Sequence, residues 1–401
     1  MVQLNPDMGF IRSLNVSTGD SLKRCIQCGT CSATCAISPA AAPFPRKEMA
    51  MASLGMKAAL LSDPDIWLCY QCNDCSAKCP RTARPGDVLA AIRKESIFHF
   101  AFPRFLAKWV SEPRFFPILF SVPAAALGLA VVFRDRLAGA FDINQSVGND
   151  IIYSHSAFLP HWLLNLFFSV VVAYVLSATT ISVLRFWRAM KTRALANGEY
   201  ATVRSIPSSL AAALKRIVMH DRFGSCDAAH SRLISHFCVF FGFLSLMAVA
   251  SWIISAGWNP LMNDKFVYPF SFLSPWKILA NLGGAALLGG CVMMILARLK
   301  KDSESGRSTY FDWFFLFLLT VVVLTGFATE GLHYLRIAPH RHVVYVTHLV
   351  LVTILLANLP LTKFAHVIYR TVGIVFALHI GRDGNDENVS LSNRKGKNND
   401  E

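Results

Sequence analysis

The chain has 401 residues, of which 54% are hydrophobic and only 16% charged. A soluble protein carries about 25% charged residues, so these proportions argue against a wholly soluble fold. The net charge of +14 sits mostly in loops between apolar runs, where membrane topology places Lys and Arg, which argues against nucleic-acid binding.

Residues 1–100 read as a soluble module, with charges and turn residues throughout. No signal peptide is visible, and the first long apolar stretch begins after residue 112. The cysteines should therefore face a reducing compartment, where metal ligation is favoured over disulfides. Cys25, Cys28, Cys31 and Cys35 are spaced C-x2-C-x2-C-x3-C. Cys69, Cys72, Cys75 and Cys79 repeat that spacing, with Pro80 following. This is the two-cluster ferredoxin signature, in which the fourth cysteine of each run ligates the other cluster. Three closely spaced thiolates wrap three corners of one cubane, and the next turn carries the fourth away. One [4Fe–4S] cluster is expected on Cys25, Cys28, Cys31 and Cys79, and the other on Cys69, Cys72, Cys75 and Cys35. Zinc also takes four thiolates, usually from pairs of C-x2-C. Ala36 stands where the signature has a proline. Between the runs a helix is expected from Lys47 to Ser62, and another from Pro85 or Gly86 to about Ile97. Strand pattern is weak, which points to a helical ferredoxin-like head.

Residues 101–113 mix Phe102, Phe105 and Trp109 with Arg104 and Lys108, and read as an interfacial linker. Residues 114–372 form a membrane domain with six apolar segments, near 114–133, 158–184, 233–257, 276–299, 311–335 and 343–369. Each can cover a ~30 Å hydrocarbon core at ~1.5 Å per residue. The fold class is therefore mainly α: a helical two-cluster head on a six-helix transmembrane bundle. Basic residues crowd the 185–232 and 298–310 loops, so both termini and the head are placed in the cytoplasm. The glycines and alanines of segment four, including Gly283, Gly284 and Gly290, predict close helix packing. Residues 381–401 are polar and expected to be disordered.

Histidines inside membrane segments are costly and mark function. His348 and His366 lie 18 residues apart, five turns of one helix, so they would share a face ~27 Å apart along its axis. His236, at the start of segment three, can meet His366 across a haem on the cytoplasmic side. For the outer ligand opposite His348, His161 is preferred, then His155, then His333. His220, His230, His340 and His342 read as solvated loop residues. Glu330, Lys363 and Asp312 stand at membrane edges as candidates for quinone or proton traffic. Cys226, Cys238 and Cys291 lack ligand spacing and read as packing residues.

Residues 343–370, VVYVTHLVLVTILLANLPLTKFAHVIYR, resemble the last helix of respiratory nitrate reductase gamma subunits, which are dihaem cytochromes b. The resemblance implies haem ligation by His348 and His366, and by His236. The fourth ligand of that family would fall at Leu246, which cannot ligate. Residues 20–97 resemble the C subunits of soluble heterodisulfide reductases. The fusion of the two is similar to the C subunits of quinone-interacting membrane-bound oxidoreductase complexes. That similarity implies two haems b, menaquinone, flavoprotein and iron–sulfur partner subunits, and exchange with adenylylsulfate reductase in dissimilatory sulfur metabolism. One alternative keeps the cofactors in a heterodisulfide-reductase-like or sulfite-reduction respiratory complex. Another is an iron–sulfur membrane anchor without haem. The chain has no adjacent cysteine pair and no G-x-G-x-x-G. Disulfide chemistry and flavin therefore belong to other subunits.

Overall fold

The computed structural model describes residues 5–39, 42–133, 136, 159–220, 230–259, 270–300, 306–337 and 340–382. Among the described residues every regular element is helical, as the mainly-α reading expects. The head begins with α1 (Met8–Thr18), α2 (Ser21–Arg24), α3 (Thr30–Ala33), α4 (Arg46–Ser53), α5 (Lys57–Leu61), α6 (Asp65–Leu68), α7 (Asp74–Ala77) and α8 (Pro85–Phe100). Asp7 caps α1 by accepting from the Phe10 N–H at 2.8 Å. Gly19 ends it in the left-handed region, where a glycine avoids the Cβ penalty. The single helix expected over 47–62 is instead α4 and α5. Gly55, at φ +66, separates them, and a Cβ there would lie 2.9 Å from the Asp7 nitrogen. Only glycine tolerates both the conformation and the approach.

A short approach helix, α9 (Arg104–Ser111), leads to α10 (Phe116–Val132) and α11 (His161–Ala196). Then follow α12 (Ile206–Met219), α13 (His230–Trp258), α14 (Pro275–Leu299) and α15 (Tyr310–Tyr334), with α16 (His340–Ala357) and α17 (Ala365–His379) last. Five helices are long and apolar enough to cross a membrane: 113–132, α11, the 232–258 part of α13, α14 and α15. Large apolar side chains such as Val170, Leu176, Leu282 and Phe317 point outward from them, as a lipid-facing belt requires. At the end far from the head, the Trp258 indole donates to Ser169 at 3.0 Å. Trp252 stacks on Trp276 there, and Lys277 pairs with Glu330 at 3.0 Å. Gly242, Gly283 and Gly290 let α13 and α14 touch backbone to backbone. A Cβ on Gly242 would sit 2.5 Å from the Gly283 carbonyl, and one on Gly290 2.8 Å from that of Ser235.

The sixth segment departs from expectation. Residues 343–369 are not one helix: α16 stops at Ala357, a 3₁₀ turn spans Leu359–Leu361, and α17 starts at Ala365. Pro360 causes the break, since it removes a backbone donor and crowds the preceding turn. The Asn358 side chain caps the end of α16 by donating to the Ile354 carbonyl at 2.8 Å. His348 and His366 therefore lie on two helices and do not share a helical face. α16 still has 18 residues, or ~27 Å, close to a bilayer core.

α17 belongs to the head. The core under the cysteine runs joins Leu14, Leu60, Trp67 and Ile92 to Phe186 and Met190 of α11, Ala213 of α12, and Tyr369 and Phe376 of α17. Trp67 stacks on Tyr369 with centroids 5.4 Å apart, and its Cβ is 2.9 Å from the position of a Cβ on Gly373. A second core holds the bundle, with Leu287, Leu319, Val323, Leu349 and Ile354 among its members.

An ion cluster also bolts the parts together. Glu48, Asp63 and Asp65 are fully buried, and Lys47 reaches all three. Arg193 of α11 meets Asp63 at 3.0 Å, and Arg382, beyond α17, meets Asp65 at 3.1 Å. Arg193, one of the basic residues that mark topology in the sequence, thus has packing work as well. Burial pushes the Glu48 carboxyl up to about 8. Lys47, Arg193 and Arg382 hold Asp63 below its ordinary range against its own burial.

Candidate metal centres

The two cysteine runs fold alike. Gln27 and Gln71, second after the first cysteine of each run, both have left-handed φ, at +57 and +56. Gly29 and Asn73 follow at +86 and +70, and α3 and α7 then carry the third cysteine of each run. The tight left-handed steps turn the first three thiols of a run inward together. Two cavities result. One is lined by Cys25, Cys28, Cys31 and Cys79, with Arg46 and Arg81. The other is lined by Cys69, Cys72, Cys75 and Cys35, with Asn73 and Asp74. The structure thus brings each fourth cysteine to the opposite run.

The electrostatics fit a cationic centre. Burial pushes the Cys35 thiol up to about 11, with Cys69 and Cys72 adding to it. Burial also raises Cys75, with Cys69, Cys72 and Cys35 adding. Cys35 and Cys75, whose ionisation is opposed by burial and by the neighbouring thiols, suit a metal centre that pulls their protons off. Backbone and side-chain donors face the sulfurs. The Gln71 N–H lies 3.2 Å from Cys69 Sγ, that of Ala83 3.3 Å from Cys79 Sγ, and Gln27 Nε2 3.4 Å from Cys25 Sγ. Such bonds tune the potential of iron–sulfur centres. Cys28 is exposed and Cys75 buried, so the first set opens outward and the second faces the interior.

The membrane histidines are prepared in a consistent way. His366 Nδ1 donates to the Lys363 carbonyl. His348 Nδ1 lies 3.0 Å from Thr325 Oγ1. That hydroxyl already donates to the Val321 carbonyl, so it accepts from the ring. His236 Nδ1 lies 3.0 Å from His220 Nε2. With the proton on an engaged Nδ1, the lone pair sits on Nε2, the arrangement of a metal-ligating histidine. His236, His366 and Arg370 lie within electrostatic reach of one another. Phe243 of α13 packs on Phe364, just before α17, at 4.4 Å. The residues at this end therefore fit a haem held between His236 and His366.

The far end is less assembled. His348 packs against α15, where a Cβ on Gly326 would lie 3.2 Å from its Cε1. His161 opens α11 and is exposed, and His333 lies in the last turn of α15. His155 lies outside the described residues. The edge residues are paired: Lys363 with Asp312, and Glu330 with Lys277 and Asn281.

Three residues escaped the sequence reading. His220 is not a solvated loop residue: it is 7% exposed and bonded to His236. Arg232 donates to the carbonyls of Gln71 and Cys72, at 3.0 and 3.3 Å. Arg370 donates to the Cys69 carbonyl at 3.0 Å and lies 3.8 Å over the Tyr70 ring. Arg232 stands four residues before His236, and Arg370 four after His366. That spacing was visible in the sequence and puts each arginine on its histidine's helix face.

A family model described as citrate utilization protein B matches residues 147–383, and one described as a 4Fe-4S dicluster domain matches residues 21–83. Citrate utilization protein B of Escherichia coli is 26% identical over 370 residues, covering 88% of this chain and 88% of that protein. The C subunit of the H(2):CoB-CoM heterodisulfide,ferredoxin reductase of Methanothermobacter marburgensis is 35% identical over 92 residues, 23% of this chain and 50% of that protein. The C2 subunit of the H(2)/formate:CoB-CoM heterodisulfide,ferredoxin reductase of Methanococcus maripaludis is 41% identical over 73 residues, 18% of this chain and 39% of that protein. The chain spans about half the length of the Methanothermobacter relatives it matches. No solved structure matches.

Proposed function

We propose, on the premise that this chain belongs to the citrate utilization protein B family, that it is the membrane electron-transfer subunit of an oxidoreductase complex. It holds two [4Fe–4S] clusters in its head and b-type haem in its membrane domain, and exchanges electrons with a quinone. Bound clusters and haem supply reversible one-electron transfer. The observation that carries the reading is the double arginine link between the second cysteine set and the histidine pair. Arg232 and Arg370 each sit one turn from a proposed haem ligand and grip the Cys69–Cys72 loop. Membrane helix and cluster loop are thereby fixed to each other by charge-assisted bonds.

The residues divide the work. Cys25, Cys28, Cys31 and Cys79 hold the cluster nearer the soluble partners, with Cys28 exposed beside Arg46 and Arg81. Cys69, Cys72, Cys75 and Cys35 hold the cluster nearer the membrane. His236 and His366 hold the haem on the head side. His348 serves a second haem, with His161 as its other ligand. The head and both termini lie on the cytoplasmic side of a multi-pass protein of the cytoplasmic membrane. The soluble partner is a flavin and iron–sulfur subunit.

The resemblance of the fused architecture supports menaquinone as the quinone, with adenylylsulfate reductase as the distant partner. One observation favours a second reading of the partner. The relative that covers 88% of the chain is named for citrate utilization. On this reading the head takes electrons from a dehydrogenase that oxidises a tricarboxylate.

The test is purification of the full chain with iron, sulfide and haem quantified, followed by anaerobic quinone reduction with each candidate donor protein. Two clusters, haem and quinone-linked turnover are expected. Zinc in place of iron sinks the cluster assignment. Iron without haem leaves an iron–sulfur membrane anchor. A sharper test concerns the exchange of fourth cysteines. Cys35→Ala is expected to convert or destroy the cluster of the second run and leave the other intact by EPR. Damage confined to the first run's cluster would reverse the assignment.

A further inference from the structure

His220 is held where a histidine is not the natural choice. It ends α12 at φ +51, a left-handed position that favours glycine or asparagine. Its Nδ1 lies 3.1 Å from the Val218 carbonyl and its Nε2 3.0 Å from His236 Nδ1. Phe237 and Phe240, on either side of the contact, pack on its ring at 4.4 and 5.4 Å. Proton bookkeeping assigns the tautomers. A carbonyl only accepts, so a neutral His220 carries its proton on Nδ1 and leaves Nε2 as an acceptor. His236 must then carry its own proton on Nδ1 and donate it. The lone pair of His236 is left on Nε2, the atom that the proposed haem ligation uses.

We propose that His220 is a positioning residue that orients the His236 ring, fixes its tautomer and sets the potential of the metal centre it ligates. This rests on the reading of His236 as a haem ligand. The mechanism is electrostatic. An acceptor on the far side of a ligating imidazole makes the ligand more basic, which favours the oxidised iron. Helix α12 thereby enters the redox site without touching the metal. The arrangement also distinguishes the two proposed ligands: His366 leans on a backbone carbonyl, whereas His236 leans on a side chain that substitution can change.

The test compares His220→Leu and His220→Gln in the purified full chain, with haem stoichiometry, redox titration and low-temperature EPR of the oxidised haem. Leucine removes the acceptor, whereas glutamine can restore an oxygen near the Nε2 position. In His220→Leu the haem on the head side is expected to remain, with an oxidised-to-reduced ratio at fixed ambient potential lowered by about tenfold, a ~59 mV rise for a one-electron couple. Its EPR g values should shift as the ring is released. His220→Gln is expected to return both toward the native values. Unchanged potential and EPR in His220→Leu would overturn the proposal. Loss of haem from both variants, with both clusters and the melting temperature intact, would also overturn it, because His220 would then be a ligand itself. A native chain without haem would bring down the haem reading first, and this inference with it.

Discussion

On the proposed haem ligation, His366→Ala is expected to lose the head-side haem completely while retaining the iron and sulfide of both clusters. His366 has its Nδ1 committed to the Lys363 carbonyl, which leaves Nε2 as the atom that would hold the proposed haem, and alanine offers no replacement. A haem that two histidines would hold would not keep its native state on one of them. The measurement is haem per polypeptide by the pyridine haemochrome, beside iron and EPR of the clusters. His348→Ala supplies the contrast, because it should remove only the second haem. Undiminished haem in His366→Ala would refute the His236/His366 pairing. Arg370, one turn on, should not mimic the effect: its carbonyl partner lies in the cluster loop.

Asp63→Asn is expected to destabilise the head by ~3–5 kcal/mol at pH 7, the cost of removing one partner from a buried ionic cluster. Asp63 is fully buried and faces Lys47 and Arg193 at 3.0 Å each. Glu48→Gln should behave oppositely. The native Glu48 carboxyl is pushed up to about 8 by burial, above its ordinary value. The folded chain therefore binds this proton more tightly than the unfolded chain, and native stability falls as pH rises from about 4.5 to about 8. Glutamine removes that slope, so the variant should gain on the native chain as pH climbs through the window. The Asp63 contribution runs the other way, since its carboxyl is held below the ordinary range. It is present at neutral pH and lost in acid. Thermal unfolding in detergent across pH 3–9 checks both signs. Equal melting temperatures for Asp63→Asn and native protein would show that the cluster does not hold the head together.

The parts legible in the sequence were those written in local spacing. The cysteine runs announce their own folding, because two-residue gaps and a left-handed step suffice to gather three thiols. Five apolar segments announce helices α10, α11, α13, α14 and α15, since length and hydropathy alone decide a span. The sixth misled because hydropathy is blind to Pro360, whose effect is a backbone one. Sharing a sequence segment was mistaken for sharing a helix, and with the break the common face of His348 and His366 is lost. His220 was illegible for another reason. Its loop position says nothing of α12, which packs against α17, an element more than 140 residues later. The arginine spacing beside His236 and His366 is readable in the sequence, but Arg232 reads there only as one of the basic residues of the 185–232 loop.

The placement of α17 has a consequence for how the protein is made. A soluble N-terminal module ordinarily folds while the rest of the chain is still being synthesised. Here the core beneath both cysteine runs needs Tyr369, Phe376 and the flanking residues of α17, and these follow α16. The ribosome must therefore deliver all the membrane helices before the head can close. Until then Trp67 lacks its stacking partner Tyr369, and Asp65 lacks Arg382. The cysteines wait in an open chain through that interval. Iron loading is therefore expected to follow membrane insertion, and a chain cut before residue 365 would carry both cysteine runs on an unfinished fold.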